Sequence, residues 1–322
     1  MFKYINTPEF YNECEELKSV YSKWRQRQFG KRLPVHIFGS GSEGNSVYLK
    51  PYRTLIDLGL PFKRYQEYSP TFFLDVDYVI LTHHHGDHLN PSTLKRILKD
   101  YPHIRVIIHE FMWEVITSDS FKPEYLKHPK GVIVPSHMDQ TYQTDADGNR
   151  IMLPSKLKAI LQAKQTRFIP AVAQNLTTHD GRTFLFEPLT VKHGDIVNIA
   201  IQILDDSLDF NFLYASDLDN LGGARSFTDY KGRTQHITGL NQDREYTLMF
   251  LEANYDEDLL NQWYKTLDPN DPDYRRKKVR ADGNLRHISE QEAFRYIERH
   301  LHNHGLFIPL HASRSFGTLY QD

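Results

Sequence analysis

Five of the six residues from His83 to His88 are ionisable, in the run Leu81-Thr82-His83-His84-His85-Gly86-Asp87-His88-Leu89. The run follows Tyr78-Val79-Ile80-Leu81, an apolar stretch that reads as a buried strand, and it precedes a helical pattern. In extended chain, side chains two apart point the same way, so His83 and His85 can close on one metal ion. Gly86 lets the chain turn, after which Asp87 and His88 can serve a second ion. Imidazole nitrogens and carboxylate oxygens are donors that a divalent cation accepts at about 2.0–2.2 Å, and a catalytic site keeps one position open for water. His84 lies between the two histidines and points away, which suits a structural role.

A metal pair needs further donors, and the chain offers them in suitable places. His193, with Asp195 two residues on, follows one predicted strand. Asp217, within Ser216-Asp217-Leu218-Asp219, follows another, and His311 follows the last. Carboxyl ends of strands are where α/β folds collect their active-site groups. Any one of these residues alone would read as an ordinary satisfied polar group; beside the first cluster they argue for a dinuclear site. Two divalent ions about 3.5–4 Å apart lower the pKa of a shared water and clamp the oxygens of an in-line displacement. A metal-bridging hydroxide is then the nucleophile, and no Ser or Cys is needed. Cys14 is far from every motif. His103, His109, His128, His137, His179, His236 and His302 lack ligand-like companions and read as surface or core residues.

The elements that must hold these groups can be read from periodicity and turn residues. Predicted strands cover residues 35–38, 46–49, 54–57, 77–81, 104–109, 183–187, 190–192, 197–204, 211–215, 247–252 and 307–310. Helical patterns cover 91–100, where Asn90 is the expected cap and Pro91 a first-turn residue, and 155–164, 256–264 and 289–302, with a helical turn at 61–68. Residues 8–29 place Phe10, Cys14, Leu17, Tyr21 and Trp24 on one stripe, so residues 1–34 are expected to form a helical extension packed on a domain at 35–322. Residues 122–178 and 220–245 are polar or irregular and read as insertions or lids. Two β-rich halves, each trailed by helices, predict one α/β sandwich.

Composition narrows the class. The chain has 322 residues, 39% of them apolar and 25% charged, which excludes wholesale disorder. No run of 18 uncharged apolar residues is present and the first dozen residues lack a basic-then-apolar start, so neither a membrane span nor a secretory signal is expected. One cysteine among 322 residues excludes an internal disulfide and any multi-cysteine metal site, and it suits a reducing cytoplasm. Lys and Arg number 39 against 41 Asp and Glu, so contact with nucleic acid must come from a local patch.

The series His-X-His-X-Asp-His, then a spaced His, then Asp, then His, resembles the ligand series of the metallo-β-lactamase superfamily over roughly residues 35–317. The resemblance implies a four-layer αββα sandwich. It implies that His83, His85 and His193 hold one metal, that Asp87, His88 and His311 hold the other, and that Asp217 bridges them. Thr54-Leu55-Ile56-Asp57-Leu58-Gly59 resembles the family's early strand–turn, whose Asp supports the site from behind the ligands; a simple turn cap is compatible with that. Gly39-Ser40-Gly41-Ser42-Glu43-Gly44-Asn45-Ser46, Leu251-Glu252-Ala253-Asn254-Tyr255-Asp256 and His287-Ile288-Ser289 are similar to the WalJ/YycJ-like branch, bacterial proteins regarded as DNA exonucleases. Where that branch usually continues its final His with a Leu-Ser-Lys-Asn type of stretch, this chain has His311-Ala312-Ser313-Arg314-Ser315-Phe316, a departure that bears on the substrate.

The same resemblance assigns catalysis to Asp87 and to His287, which lies 24 residues before His311. tRNA 3′-processing enzymes of the superfamily place a non-ligand His at a similar distance, and such a residue can act as general acid. Its other reading is a helix N-terminal residue. The small residues of 39–46 can offer backbone N–H groups and hydroxyls to a phosphate, making Ser40, Ser42 and Asn45 substrate-binding candidates together with Asn254; a tight turn explains the stretch equally well. Arg275-Arg276-Lys277-Lys278-Val279-Arg280, followed by Arg286, reads as solvated surface or as a hold on a nucleic-acid backbone. The leading expectation is a dinuclear phosphodiesterase acting on DNA or RNA. A cyclic mononucleotide phosphodiesterase, of the type phages turn against host signalling, is the alternative, and hydrolysis of an ester, amide or thioester is the third. Two divalent ions are expected, Zn²⁺ from the His-rich donor set with Mn²⁺ as the other candidate. No membrane partner is expected and a homodimer is left open.

Overall fold

In the computed structural model the described residues are 35–109, 111–112, 142–144, 150–152, 168–311 and 316–317. The helices expected at 8–29 and 155–164 lie outside them, as do His128, His137 and most of the 122–178 segment. The fold is mixed α/β, as the sequence predicts. The chain forms two compact units, one running from Pro34 to Phe184 and the other from Leu185 onward.

In the first unit the strands are β1 (Val35–Gly39), β2 (Ser46–Leu49), β3 (Thr54–Ile56), β4 (Tyr78–Leu81), β5 (Arg105–Ile108), the short antiparallel pair β6 (Tyr142–Thr144) and β7 (Arg150–Met152), β8 (Phe168–Pro170) and β9 (Gln174–Thr177); its helices are α1 (Phe62–Tyr68) and α2 (Pro91–Asp100). One sheet runs in the order β1-β2-β3-β4-β5-β8, antiparallel through β3 and parallel from β3 to β8. Alternate residues Leu55, Val79, Leu81, Val106 and Ile108 share one apolar cluster with Phe62 and Tyr65 of α1 and Leu94, Ile97 and Leu98 of α2. The intervening Ile56, Ile80 and Ile107 are buried too. This is why β4 reads as a continuous apolar run rather than an alternating one. Helix α2 begins as expected, with Pro91 in its first turn and Asn90 Oδ1 accepting the Thr93 N–H at 3.1 Å.

In the second unit the strands are β10 (Thr183–His193), which starts just before the boundary, β11 (Ile196–Asp205), β12 (Phe210–Ala215), β13 (Arg225–Thr228), β14 (Thr234–Ile237), β15 (Tyr246–Glu252) and β16 (Leu301–Leu310). The helices are α3 (Glu257–Thr266), α4 (Tyr274–Asn284) and α5 (Glu290–His300). Within this unit the six-stranded sheet runs β16-β15-β12-β11-β10, and β9 is its remaining strand. β12, β15 and β16 are mutually parallel, and β11 is antiparallel to both β10 and β12. Hence β10, β12, β15 and β16 all point the same way. Leu213, Ala215, Met249, Leu251 and Phe307 pack against Ala293, Tyr296 and Ile297 of α5. That helix starts at an N-cap, Ser289 Oγ accepting the Glu292 N–H at 3.1 Å.

One local expectation is corrected, and two segments show structure that the pattern did not predict. β10 passes through Pro188 as one strand in unbroken register with β11, where the sequence suggested two strands at 183–187 and 190–192. The 220–245 segment contains the hairpin β13–β14. Its turn is tied by Asp229, which accepts N–H groups of Lys231 and Arg233 and the side chains of Arg233 and Gln235. The basic run at 275–280 lies on α4, a helix that periodicity could not reveal because Ala281 is its one buried residue.

Candidate metal centre

The first set of candidate donors hangs on the ends of two neighbouring parallel strands. β3 ends at Ile56 opposite Ile80 of β4, so Asp57 follows one strand beside the start of the His83–His88 loop. Asp57 has φ 59°, a left-handed conformation uncommon outside glycine, and its carboxylate is fully buried. Its Oδ1 accepts the Thr82 N–H at 2.8 Å, both oxygens accept the Thr82 hydroxyl at 2.9–3.0 Å, and Oδ2 accepts His88 Nδ1–H at 2.6 Å. Burial pushes the Asp57 carboxyl pKa up, against the opposing pull of His88 and Thr82. With Nδ1 donating to Asp57, His88 keeps Nε2 as its donor atom for a cation. Because the Thr82 hydroxyl gives its proton to Asp57, its lone pairs are left for His83 Nδ1–H, 3.1 Å away, and His83 Nε2 is likewise kept for a cation.

His83 Nε2 lies 3.2 Å from His85 Nδ1. Two nitrogens bound tetrahedrally at about 2.0–2.1 Å are separated by about 3.3–3.4 Å, so these two rings fit a shared divalent ion. Asp87 Oδ2 stands 3.8 Å from His88 Nε2. The loop is pressed onto residues 45–59 by Asn45 N–H to Asp87 O (2.6 Å) and Leu58 N–H to His88 O (2.8 Å). Gly59 makes this approach possible: a Cβ there would sit 1.8 Å from the Asp87 carbonyl oxygen. Asn45 is buried, with its amide nitrogen 2.8 Å from His88 Nε2 and 3.3 Å from Asp87 Oδ2 and its Oδ1 accepting Gly41 N–H at 2.7 Å. It therefore touches the candidate donors themselves. Ser40 is half-buried and Ser42 exposed. His84, beside His85, is half-buried.

The second set sits at the carboxyl ends of the four co-directional strands of the other unit. His193 closes β10, Asp217 and His311 follow β12 and β16, and Glu252 closes β15. Asp217 and His311 both have positive φ, 56° and 52°. Such strain outside glycine collects at functional sites. Asp217 Oδ1 is 3.7 Å from His311 Nε2 and 3.9 Å from His193 Nε2. Asp217, Glu252, His287 and His311 each place a donor atom within 4.8 Å of the others. The Asp217 loop is tied down by Asn198, whose amide donates to the carbonyls of Ser216 and Asp217 at 2.7 and 2.8 Å. The turn after His193 is held by Asp219, which accepts Gly194 N–H at 2.7 Å and bonds Lys192 Nζ. Gly194, with φ 58°, takes the left-handed place in that turn.

His287 is joined to Glu252: its Nδ1–H donates to Oε1 at 2.5 Å, while Oε2 accepts Leu218 N–H at 2.9 Å. The ring stacks on His311 at 4.8 Å between centroids and stands 5.1 Å from His193. Burial works against the imidazolium, yet the Glu252 charge and hydrogen bond, with Asp217, hold the His287 pKa above its ordinary value. Asn254 donates to the His311 carbonyl at 2.6 Å and lies 3.1 Å from its Nδ1, with its own Oδ1 buried and lacking a hydrogen-bond partner among the described residues. Sequence reasoning overlooked Glu252, Thr82 and Asp219. For Glu252 the signal was a carboxylate ending the otherwise apolar run Tyr246-Thr247-Leu248-Met249-Phe250-Leu251.

No family model matches the chain, and no curated protein matches it. Among solved structures it is similar to the short form of human tRNase Z, at 15% identity and a TM-score of 0.48, over 87% of this chain and 92% of that one. It is also similar to the metallo-β-lactamase fold protein YhfI from Bacillus subtilis, at 17% identity and a TM-score of 0.44, over 87% and 86% of the two chains. Yeast PDE1 gives 10% identity and a TM-score of 0.44 over 82% and 81%.

Proposed function

We propose that this protein is a metal-dependent phosphodiesterase of the metallo-β-lactamase type, nearest in character to the WalJ/YycJ-like nucleases, with nucleic acid as its substrate. His83, His85 and His193 would hold one divalent ion, Asp87, His88 and His311 the other, and Asp217 would be shared. That pairing is what the resemblance to the metallo-β-lactamase ligand series implies; the geometry within each unit supports it through the 3.2 Å His83–His85 separation and the 3.7 Å His311–Asp217 separation. The His-rich N/O donor set suits Zn²⁺, with Mn²⁺ as the second candidate. When bound, the ions supply Lewis acidity, making a water acidic enough to attack at neutral pH and neutralising the phosphate.

The observation that carries the reading is the Glu252–His287 pair. A histidine fixed by a fully buried carboxylate and set against Asp217 and His311 would hand a proton to a departing alkoxide. Phosphodiester cleavage needs that proton, because a sugar alkoxide is a poor leaving group. Glu252 fixes the ring so that Nε2–H is the free donor. Asp57 and Thr82 orient His88 and His83, the Asn45 backbone N–H holds the Asp87 carbonyl, and Asn254 holds His311 in place. Ser40 and Ser42 remain the candidates for contact with the substrate itself. A reducing cytoplasm fits the single cysteine. Among the described residues no helix is long and apolar enough to cross a membrane.

The near-neutral charge, −2 overall, favours a cyclic mononucleotide as the alternative substrate. One panel separates the readings: bis-p-nitrophenyl phosphate, cyclic mononucleotides, and single- and double-stranded DNA and RNA, with Asp87→Ala as control. The proposal predicts turnover of the chromogenic diester and of a nucleic acid, abolished in the variant. Turnover of cyclic mononucleotides alone selects the alternative. Failure on every phosphodiester with metal bound rejects both.

A further inference from the structure

Helix α4 is unusual within its unit. Its single buried side chain is Ala281, which joins Leu260 and Phe316 in a small cluster. Arg275, Arg276, Lys278, Val279, Arg280 and Gly283 are exposed. At about 100° per residue, Arg275, Val279, Arg276, Gly283 and Arg280 fall on one arc of about 140°, and Arg286 lies in the turn beyond the helix end. That arc holds three arginines and no acid, and Arg286 follows it as a fourth. The acids nearby lie off it or at its edge: Asp282 bonds Lys278 and Tyr264, and Asp271 bonds Lys277. Arg276 meets Asp273 at 3.3 Å, an exposed pair of little hold. Arg275 and Arg286 have no acid partner among the described residues.

The arc also has a direction. The helix ends at Asn284, and the chain turns through Leu285 and Arg286 straight into His287, whose N–H bonds the Asn284 carbonyl at 3.0 Å. From Arg275 to Asn284 the helix rises about 14 Å, and Arg286 follows in the turn. A line of guanidinium groups of that length, ending at the proton donor, matches a run of several phosphates. Arginine favours such contacts through its planar fork. An exposed Val279, 63% accessible in the middle of the arc, offers a base or sugar an apolar contact without adding an acid.

We propose that the α4 arc, Arg275, Arg276 and Arg280, together with Arg286 beyond it, binds the phosphate backbone of a single-stranded nucleic acid and leads it to His287. The inference rests on the phosphodiesterase reading and makes the substrate a polymer rather than a cyclic mononucleotide. Its test compares wild type with Arg275→Gln/Arg280→Gln in the metal-loaded protein. Affinity for a phosphorothioate 20-mer is followed by fluorescence anisotropy across salt concentrations, and cleavage of the ordinary 20-mer is compared with hydrolysis of bis-p-nitrophenyl phosphate. Removing two phosphate contacts should lower affinity by about tenfold at moderate salt and flatten the log–log salt slope by about 1.4. The ratio of 20-mer cleavage to chromogenic turnover should fall with it. An unchanged slope and ratio would overturn the inference, as would equal losses on both substrates with an unaltered circular dichroism spectrum. A wild type that turns over the chromogenic ester but neither binds nor cuts the 20-mer would overturn it while leaving the phosphodiesterase reading intact. A wild type that binds the 20-mer with the expected slope but hydrolyses no diester would instead sink that reading and keep the binding surface.

Discussion

Replacing Glu252 by Gln isolates the proton-delivery step. The side chain is fully buried, one oxygen accepting Leu218 N–H and the other His287 Nδ1–H. Glutamine keeps the shape and one acceptor, so the Leu218 contact can survive with the amide nitrogen turned toward His287. The ring must then accept at Nδ1 and can no longer be held as an imidazolium. A hydrogen bond to a charged group contributes about 1.5–3 kcal/mol, and losing it in the transition state slows the step roughly 10- to 150-fold. The loss should depend on the leaving group. A dinucleotide, which expels a sugar alkoxide, should show the full effect in kcat. Bis-p-nitrophenyl phosphate expels a stable phenolate that needs no proton, and it should be nearly unaffected. The assay is kcat for both substrates in both proteins, with metal content measured alongside. Equal losses on the two substrates, or a fall in bound metal, would refute the reasoning and make Glu252 a ligand or a scaffold residue.

Other outcomes follow from the same geometry. Asp57→Ala removes the acceptor for His88 and Thr82, and loss of such an orienting partner typically lowers metal affinity 10- to 100-fold; competition with a chelator measures it, and unchanged affinity would contradict the role. Gly59→Ala places a Cβ 1.8 Å from the Asp87 carbonyl. The loop must shift, so melting should drop by the equivalent of about 3 kcal/mol, at the upper end of ordinary point mutants, with activity lost; a variant as stable and active as wild type would show that the approach is not required.

The first donor set was legible because its signals are local: an apolar strand, histidines at alternate positions, a glycine turn, then Asn90-Pro91 opening α2. The strand-end positions of His193, Asp217 and His311 were legible for the same reason. Glu252 was not, since a carboxylate at a strand end is an ordinary boundary residue until β12 and β16 are known to flank it. Asn45 and Asn254 could be singled out by type but not by direction: residue identity says that an amide is present, not which neighbour it holds. α4 and the β13–β14 hairpin escaped because neither buries an apolar face of its own. Pro188 suggested a break in β10, yet the pairing with β11 on both sides of it carries the strand through.

The central claim is that the His83–His88 loop and the strand-end residues of the second unit both serve bound divalent ions. Metal content by mass spectrometry of wild type, His83→Ala and His311→Ala, each purified without added metal and checked for folding, tests it most directly. The account predicts two equivalents per wild-type chain and a loss of at least one in either variant. Metal-free wild type after reconstitution with Zn²⁺ and with Mn²⁺, or two equivalents retained in both variants, would contradict it.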